Sequence, residues 1–419
     1  MIQKMTSLLL IMAILLFAIP GVAEAETTDD SSYYYIVIDQ ETGAILLEQN
    51  SGNRIFPAST TKILTAFTAL ANSGVTSIVT ASDIAAGPME TGAVRLGLSV
   101  GEEMELYDML MALMLKSAND VAVAVAEYIG GSVEGFAAMM NEKAADSGAL
   151  DTHFVNPHGL HSDDHYTTPY DLAMIARTAL KNYNFASIVN RSEYTLPITN
   201  KRDRTYTIKN SNPILGENEG MDFLVTGVKT GYTSKAKYTL VSSAHDYTGR
   251  DVVCVVANIP SRAVSAELSL DLMKRAFEEF SVQSITKSGE IITDSLPVNP
   301  GYDVASAMNI EYLLPRDENL WNVDATVEMF KYDSYRPNRG EIVGELTYTN
   351  NGILIGSTYL VSAEDLAYTA VKSVISTDKT NGIEKASFPI RFIIPLSLAI
   401  AIALLFFFII RYNKKEVEE

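Results

Sequence analysis

Strand-forming segments stand at both ends of a long stretch whose middle is helical, and this order restricts the fold of the chain most. Residues 33–39 (Tyr-Tyr-Tyr-Ile-Val-Ile-Asp) are rich in strand formers, 40–43 read as a turn and 44–48 as a returning strand. A helix is expected over 59–72, with Gly74 as its stop signal, and apolar helical text follows at 106–115, 121–129 and 136–145. Thr167-Thr168-Pro169-Tyr170-Asp171 is a helix start, with a Thr cap, Pro at the first helical position and an acid in the first turn. Residues 193–210 alternate like a strand, 225–231 form a compact unit, and 237–244 and 251–257 read as two strands joined near Thr248-Gly249. A helix over 263–280 closes the pattern. One antiparallel sheet built from both ends, with helices packed on it, satisfies that order and predicts an α/β domain.

From about residue 282 the text changes to short strand candidates at 291–292, 322–330, 341–349 and 353–361, separated by Pro, Gly or Asn-Asn. A small all-β domain is expected there, with Asn350-Asn351-Gly352 as a hairpin turn. The expected organisation is a signal peptide at 1–25, a catalytic domain at 26–281, the β domain at 282–375, a linker at 376–391, a transmembrane helix at 392–410 and a cytoplasmic tail at 411–419. The first segment has Lys4, an apolar run over 8–19 and the small-x-small site Ala23-Glu24-Ala25. In 392–410 no charge appears, and Arg411, Lys414 and Lys415 follow, which places the tail on the cytoplasmic side. Residues 26–391 are therefore expected outside the cytoplasmic membrane. A formal charge of −19 argues against nucleic acid as a partner and against adsorption on anionic lipid heads. Cys254 is the only cysteine, so an intrachain disulfide and CxxC metal sites are excluded, and a packed, inert thiol is expected.

Ser59 and Lys62 stand at i and i+3 of the first expected helix and so share a face, where an amine can sit beside a hydroxyl. Ser234 with Lys237 and Ser284 with Lys287 have the same spacing. Company singles out the first. Ser117-Ala118-Asn119 lies in a polar break between two apolar helical segments, where a hydroxyl and an amide can face a cleft. Lys229-Thr230-Gly231 occurs once and precedes a strand, so it offers a cation and a glycine that lets a substrate backbone approach closely.

These three elements, in this order, are those of the penicillin-recognising serine enzymes. Pro57-Ala58-Ser59-Thr60-Thr61-Lys62, Lys116-Ser117-Ala118-Asn119-Asp120, Asn156-Pro157-His158-Gly159-Leu160 and Gly227-Val228-Lys229-Thr230-Gly231-Tyr232-Thr233 resemble the low-molecular-mass D-alanyl-D-alanine carboxypeptidases over about residues 33–280. Gly340-Glu341-Ile342-Val343-Gly344 through Tyr359-Leu360-Val361 resembles their C-terminal β domain. Thr226 stands where that family often has an acid, Pro213 where a base is frequent, and the apolar end differs from the amphipathic anchor of some relatives.

The resemblance implies a β-lactamase/DD-peptidase-like fold and acyl transfer to Ser59, with peptidoglycan pentapeptides as substrate and β-lactams as acylating inhibitors. Ser59 needs a base. Lys62 serves once burial and the nearby Lys229 charge lower its pKa. Ser117 relays a proton to the leaving amine, Asn119 holds the substrate amide, and Lys229 with Thr230 binds the terminal carboxylate, while Gly231 leaves room for the substrate. The oxyanion hole implied by the family is the backbone N–H groups of Ser59 and Tyr232. No cofactor and no metal is expected: His158, His161 and His165 lack metal-site company and read as solvated loop residues. A class A β-lactamase would need a Glu-x-x-x-Asn, absent from residues 117–229. A catalytically silent wall protein would have no reason to keep all three elements. Gly97-Leu98-Ser99-Val100-Gly101 reads as a turn and not a nucleophile elbow, because no helix follows directly. Nothing supports a Ser-His-Asp triad through His245.

Overall fold

A computed structural model describes residues 32–216, 220–297, 300–330 and 337–364. The expected signal peptide, linker, transmembrane helix and tail lie outside the described residues. Among the described residues no single helix is long and apolar enough to cross a membrane.

The chain begins with a hairpin, β1 (Tyr34–Asp39) and β2 (Ile45–Gln49). Asp39 closes its turn by accepting from the Thr42 backbone N–H at 2.7 Å and hydroxyl at 2.6 Å. Next come α1 (Thr61–Asn72), then a ribbon of β3 (Ile78–Thr80) and β4 (Glu103–Glu105) with the one-turn helix α2 (Asp83–Ala86) between them. The helical cluster continues with α3 (Leu106–Met111), α4 (Asn119–Gly130), α5 (Val133–Asp146), α6 (Pro169–Leu180) and α7 (Tyr183–Val189). α6 starts as its sequence requires: Thr168 accepts from the Asp171 N–H at 3.0 Å and Pro169 occupies the first position. The short α7, not anticipated from the sequence, is capped by Asn182, which accepts from the Phe185 N–H.

A second ribbon, β5 (Glu193–Leu196) with β6 (Tyr206–Lys209), precedes the long strands β7 (Phe223–Thr233), β8 (Lys237–Asp246) and β9 (Asp251–Ile259). α8 (Arg262–Glu279) follows. The main sheet runs β2-β1-β9-β8-β7, every pair antiparallel, so the first hairpin docks on the last strand and both ends of the domain meet. β9 lies centrally and is covered on both faces. Val253 and Val255 face the helical cluster with Ile36, Ile38 and Val241; Val252, Cys254 and Val256 face α8 with Val37 and Leu240. Side chains alternate between faces, which explains an unbroken apolar run in a strand buried on both sides. α8 presents Leu268, Leu272, Met273, Ala276 and Phe277 to that second core, at helical spacing. Burying each such large side chain is worth about 1.5–3 kcal/mol. Cys254 is fully buried there, and burial pushes its thiol up to about 12, an inert group.

α8 passes at once into β10 (Phe280–Thr286), a strand that runs through the expected division at 281/282. Arg250 ties the junction, donating to the carbonyls of Phe277 (2.8 Å) and Phe280 (2.7 Å) while it pairs with Asp246. Beyond it lie β11 (Val304–Ser306), β12 (Ile310–Pro315), β13 (Val323–Met329), β14 (Ile342–Asn350) and β15 (Ile353–Ser362). β10 pairs with β12, and β11-β15-β14-β13 form a separate sheet over Ile292, Val304, Val343, Leu346 and Leu360. Asn351 (φ 50°) and Gly352 (φ 77°) make the β14–β15 turn, the two positive φ values of a type I′ hairpin.

Candidate active site

Of the three Ser-x-x-Lys copies among the described residues, only that at Ser59 sits at a helix start. Ser234 lies in the β7–β8 turn before Lys237 (φ 55°), and Ser284 belongs to β10. Ala58 (φ 50°) takes the left-handed region, opening a single 3₁₀ turn, Ala58–Thr60, that leads into α1. Ser59 ends half-exposed on a cleft of about 330 Å³, and Lys62, one turn on, is fully buried.

Three oxygens surround the Lys62 amine: Ser59 Oγ at 3.1 Å, Asn119 Oδ1 at 2.7 Å and the His158 carbonyl at 2.5 Å. Burial, then the Lys229 charge, hold its pKa well below the usual lysine value, and Asp120 works weakly in the opposite sense. A neutral amine has two protons and one lone pair. Asn119 Oδ1 and the His158 carbonyl can only accept, so in the neutral form of the amine they take its two protons and its lone pair is left to face the Ser59 hydroxyl. The Asn119 carbonyl is thereby committed to Lys62, and only its Nδ2 remains for a substrate. Ser117 (φ 66°), closing the π-helical turn Ala112–Lys116, lines the same cleft without a hydrogen bond to Lys62 among the described residues. Asp120 is fully buried and accepts from the N–H groups of Leu96, Gly97 and Leu98, so the Gly-x-Ser-x-Gly stretch is a turn wrapped on a carboxylate.

The opposite wall is β7, the outer strand of the sheet. A Cβ on Gly231 would fall 2.9 Å from the Pro57 carbonyl and 3.2 Å from the Ser59 nitrogen, so glycine alone lets the strand lie against the serine turn. Lys229, two residues earlier, projects to that same side. It is 1 % exposed, donates to the Thr230 carbonyl at 3.1 Å, and burial lowers its pKa to about 7. Thr230, Gly231 and Tyr232 line the cleft, whereas Lys229 is buried and is not among the lining residues. Tyr232 stacks on Tyr238 with ring centroids 4.5 Å apart. Thr230 Oγ1 lies 3.0 Å from Ser211 Oγ, and Arg262 donates to the Ser211 carbonyl at 2.6 Å. Arg262 faces the cleft and was not singled out by sequence: it opens α8, far along the chain from every motif.

Of His158, His161 and His165 only His161 is exposed, which corrects the expectation that all three are solvated. The loop 156–160 packs directly on the serine turn: Thr65 donates to the Pro157 carbonyl at 2.6 Å, and a Cβ on Gly159 would fall 1.8 Å from the Ala58 carbonyl. His165 accepts at Nδ1 from the Val155 N–H, so its Nε2–H donates to Thr61 Oγ1 at 2.8 Å. Burial first, then neighbouring Lys62 and histidines, lower both His158 and His165 to about 3. Both are neutral when folded and titrate near 6.5 when unfolded, so they contribute stability in full above that pH. That contribution is lost as pH falls from 6.5 towards 3. A His165→Gln chain is accordingly expected to lose less Tm than the wild type between these limits by circular dichroism. Equal losses would refute the linkage.

A serine on a buried lysine base, in a cleft between an antiparallel sheet and a helical cluster, defines a serine-type hydrolase that works through an acyl-enzyme. The family model of D-alanyl-D-alanine carboxypeptidases, peptidase S11, matches residues 22–261. The chain belongs to this family. It is 29% identical to the D-alanyl-D-alanine carboxypeptidase DacF of Bacillus subtilis, over 78% of this chain and 84% of that protein. Among solved structures, the D-alanyl-D-alanine carboxypeptidase DacD from Francisella tularensis superposes with TM-score 0.62 at 25% identity, covering 79% of this chain and 92% of that one. Penicillin binding protein 5 from Haemophilus influenzae gives TM-score 0.60 at 26% identity, covering 79% and 96%.

Proposed function

We propose that the chain removes the terminal D-alanine from peptidoglycan stem peptides through an acyl-enzyme on Ser59, and that β-lactams acylate the same oxygen. One observation carries the reading: the Lys62 amine is buried, held by two obligate acceptors and 3.1 Å from Ser59 Oγ.

Lys62 takes the Ser59 proton as Oγ attacks the carbonyl of the penultimate D-alanine. The backbone N–H groups of Ser59 and Tyr232 receive the oxyanion, each such donor being worth about 3 kcal/mol. Lys62 returns the proton by way of Ser117 to the leaving amine, the C–N bond breaks, and D-alanine departs. Water, giving a proton to Lys62, then attacks the ester carbonyl; the bond to Ser59 Oγ breaks, Lys62 returns the proton to that oxygen, and the shortened peptide leaves as its carboxylate. Thr230 and Arg262 bind the terminal carboxylate, and Lys229 supports them while its charge acts on Lys62. No acidic side chain lines the cleft among the described residues, which favours slow release of a penicilloyl group.

Residues 26–281 form the catalytic domain in this reading, and 282–375 a β domain that spaces it from the membrane. The signal peptide exports the chain, and the apolar segment 392–410 anchors it with the active site on the extracytoplasmic side. The test is to compare turnover of a D-Ala-D-Ala peptide with that of penicillin. Faster release of D-alanine, with penicillin retained as a stable adduct, is the expected result. Rapid penicillin turnover with no D-alanine release would make the enzyme a β-lactamase.

A further inference from the structure

The cleft carries more positive charge than a single terminal carboxylate requires. Two cations line it, Arg262 and Lys116, in a chain of net charge −19. They come from different elements and are held at different points. Arg262, at the start of α8, donates to the Ser211 carbonyl beside Thr230. Lys116 ends the π-helical turn on the other wall, next to Ser117, and extends to Tyr206 at the start of β6. Its Nζ donates to Tyr206 Oη at 2.6 Å and lies 4.7 Å from the ring centroid. Among the described residues Lys116 has no acidic partner, whereas Arg202, flanking the same ring, is paired with Glu102 at 3.4 Å. The two anchors are separate: Lys116 is held at the Tyr206 hydroxyl and Arg262 at the Ser211 carbonyl.

We propose that Lys116 is a specificity-determining residue that binds a second carboxylate, carried by the side chain of the residue before D-Ala-D-Ala. In an extended peptide that residue's Cα stands about 7 Å before the last one. A carboxylate on that residue's side chain offers a second anion at a point of the peptide distinct from its C-terminus. Tyr206 holds the ammonium through its hydroxyl and ring face without neutralising it, so the charge stays available to a ligand. The preferred substrate is a stem peptide whose third residue bears a free carboxylate, over one whose third residue is amidated or only cationic. This inference rests on the carboxypeptidase reading and names the substrate class of that site.

The test uses two synthetic peptides that end in D-Ala-D-Ala and differ only in glutamate or glutamine before it. The wild-type chain is expected to favour the glutamate peptide by about tenfold in kcat/KM, expressed in KM, with the preference shrinking as salt rises. Lys116→Met should bring the ratio near one, Lys116→Arg should retain it, and Lys116→Glu should favour a peptide with lysine at that position. A wild-type ratio near one overturns the proposal without any variant. So does a Lys116→Met chain that keeps the preference or loses both peptides equally. Labelling of the wild-type chain by a fluorescent penicillin reads the underlying activity separately: labelled protein without the preference refutes only the Lys116 subsite.

Discussion

Ser59→Ala is expected to abolish covalent labelling by a fluorescent penicillin and to lower D-alanine release by a factor on the order of 10⁴ or more. The substitution removes the only atom to which the acyl group can be attached. It should cost little stability, because Ser59 is half-exposed and the one hydrogen bond its hydroxyl makes among the described residues is to Lys62. Lys62→Met should be nearly as damaging, on the order of 10²–10⁴, the usual contribution of a positioned general base. It removes a buried amine but strands the Asn119 and His158 carbonyls it satisfies. Unfolding of this variant therefore has to be excluded by circular dichroism before its activity is read. Labelling that survives Ser59→Ala would sink the assignment of the nucleophile.

Lys229→Ala is the second large effect, and its signature lies in the pH profile. Burial is the main cause of the low Lys62 pKa, and the Lys229 charge is next. Without that charge the Lys62 amine holds its proton more tightly, so the acid limb of penicillin acylation moves to higher pH. Water entering the space left by the lysine pushes the same way, since it relieves the desolvation of Lys62. At neutral pH the combined loss in kcat/KM is expected at about 10²-fold or more. Arg262→Ala should behave differently, raising KM for carboxylate-ended peptides and leaving the acid limb in place. An unmoved limb in Lys229→Ala would remove the electrostatic link between the two lysines.

Local chemistry made much of this protein legible. The Thr168-Pro169 helix start, the Asn351-Gly352 turn, the apolar run of the central strand and the i, i+3 placement of Ser59 and Lys62 depend on residues within one or two turns of chain. The strands β10 to β12 were harder to read. β10 continues straight from a helix, and β11 is only three residues long; such segments are strands because of the partners they meet. α7 was missed for a similar reason, since seven residues carry too little periodicity to stand out.

Sequence alone determined which groups exist and in what order: a serine and lysine on one helical face, a second serine and asparagine, a single Lys-Thr-Gly, and strands at both ends to close one sheet. Only tertiary structure decided what those groups are chemically. The low pKa of Lys62 comes from complete burial and a second lysine delivered by a strand far along the chain. Its orientation comes from a side-chain carbonyl on α4 and a backbone carbonyl in the 156–160 loop. Arg262 reaches the cleft from a helix that no motif marks, and Lys116, although it stands beside Ser117, gains its place there only through the fold. Propensity and spacing act over a few residues, whereas desolvation and Coulomb interaction depend on distances that exist only after the sheet has closed.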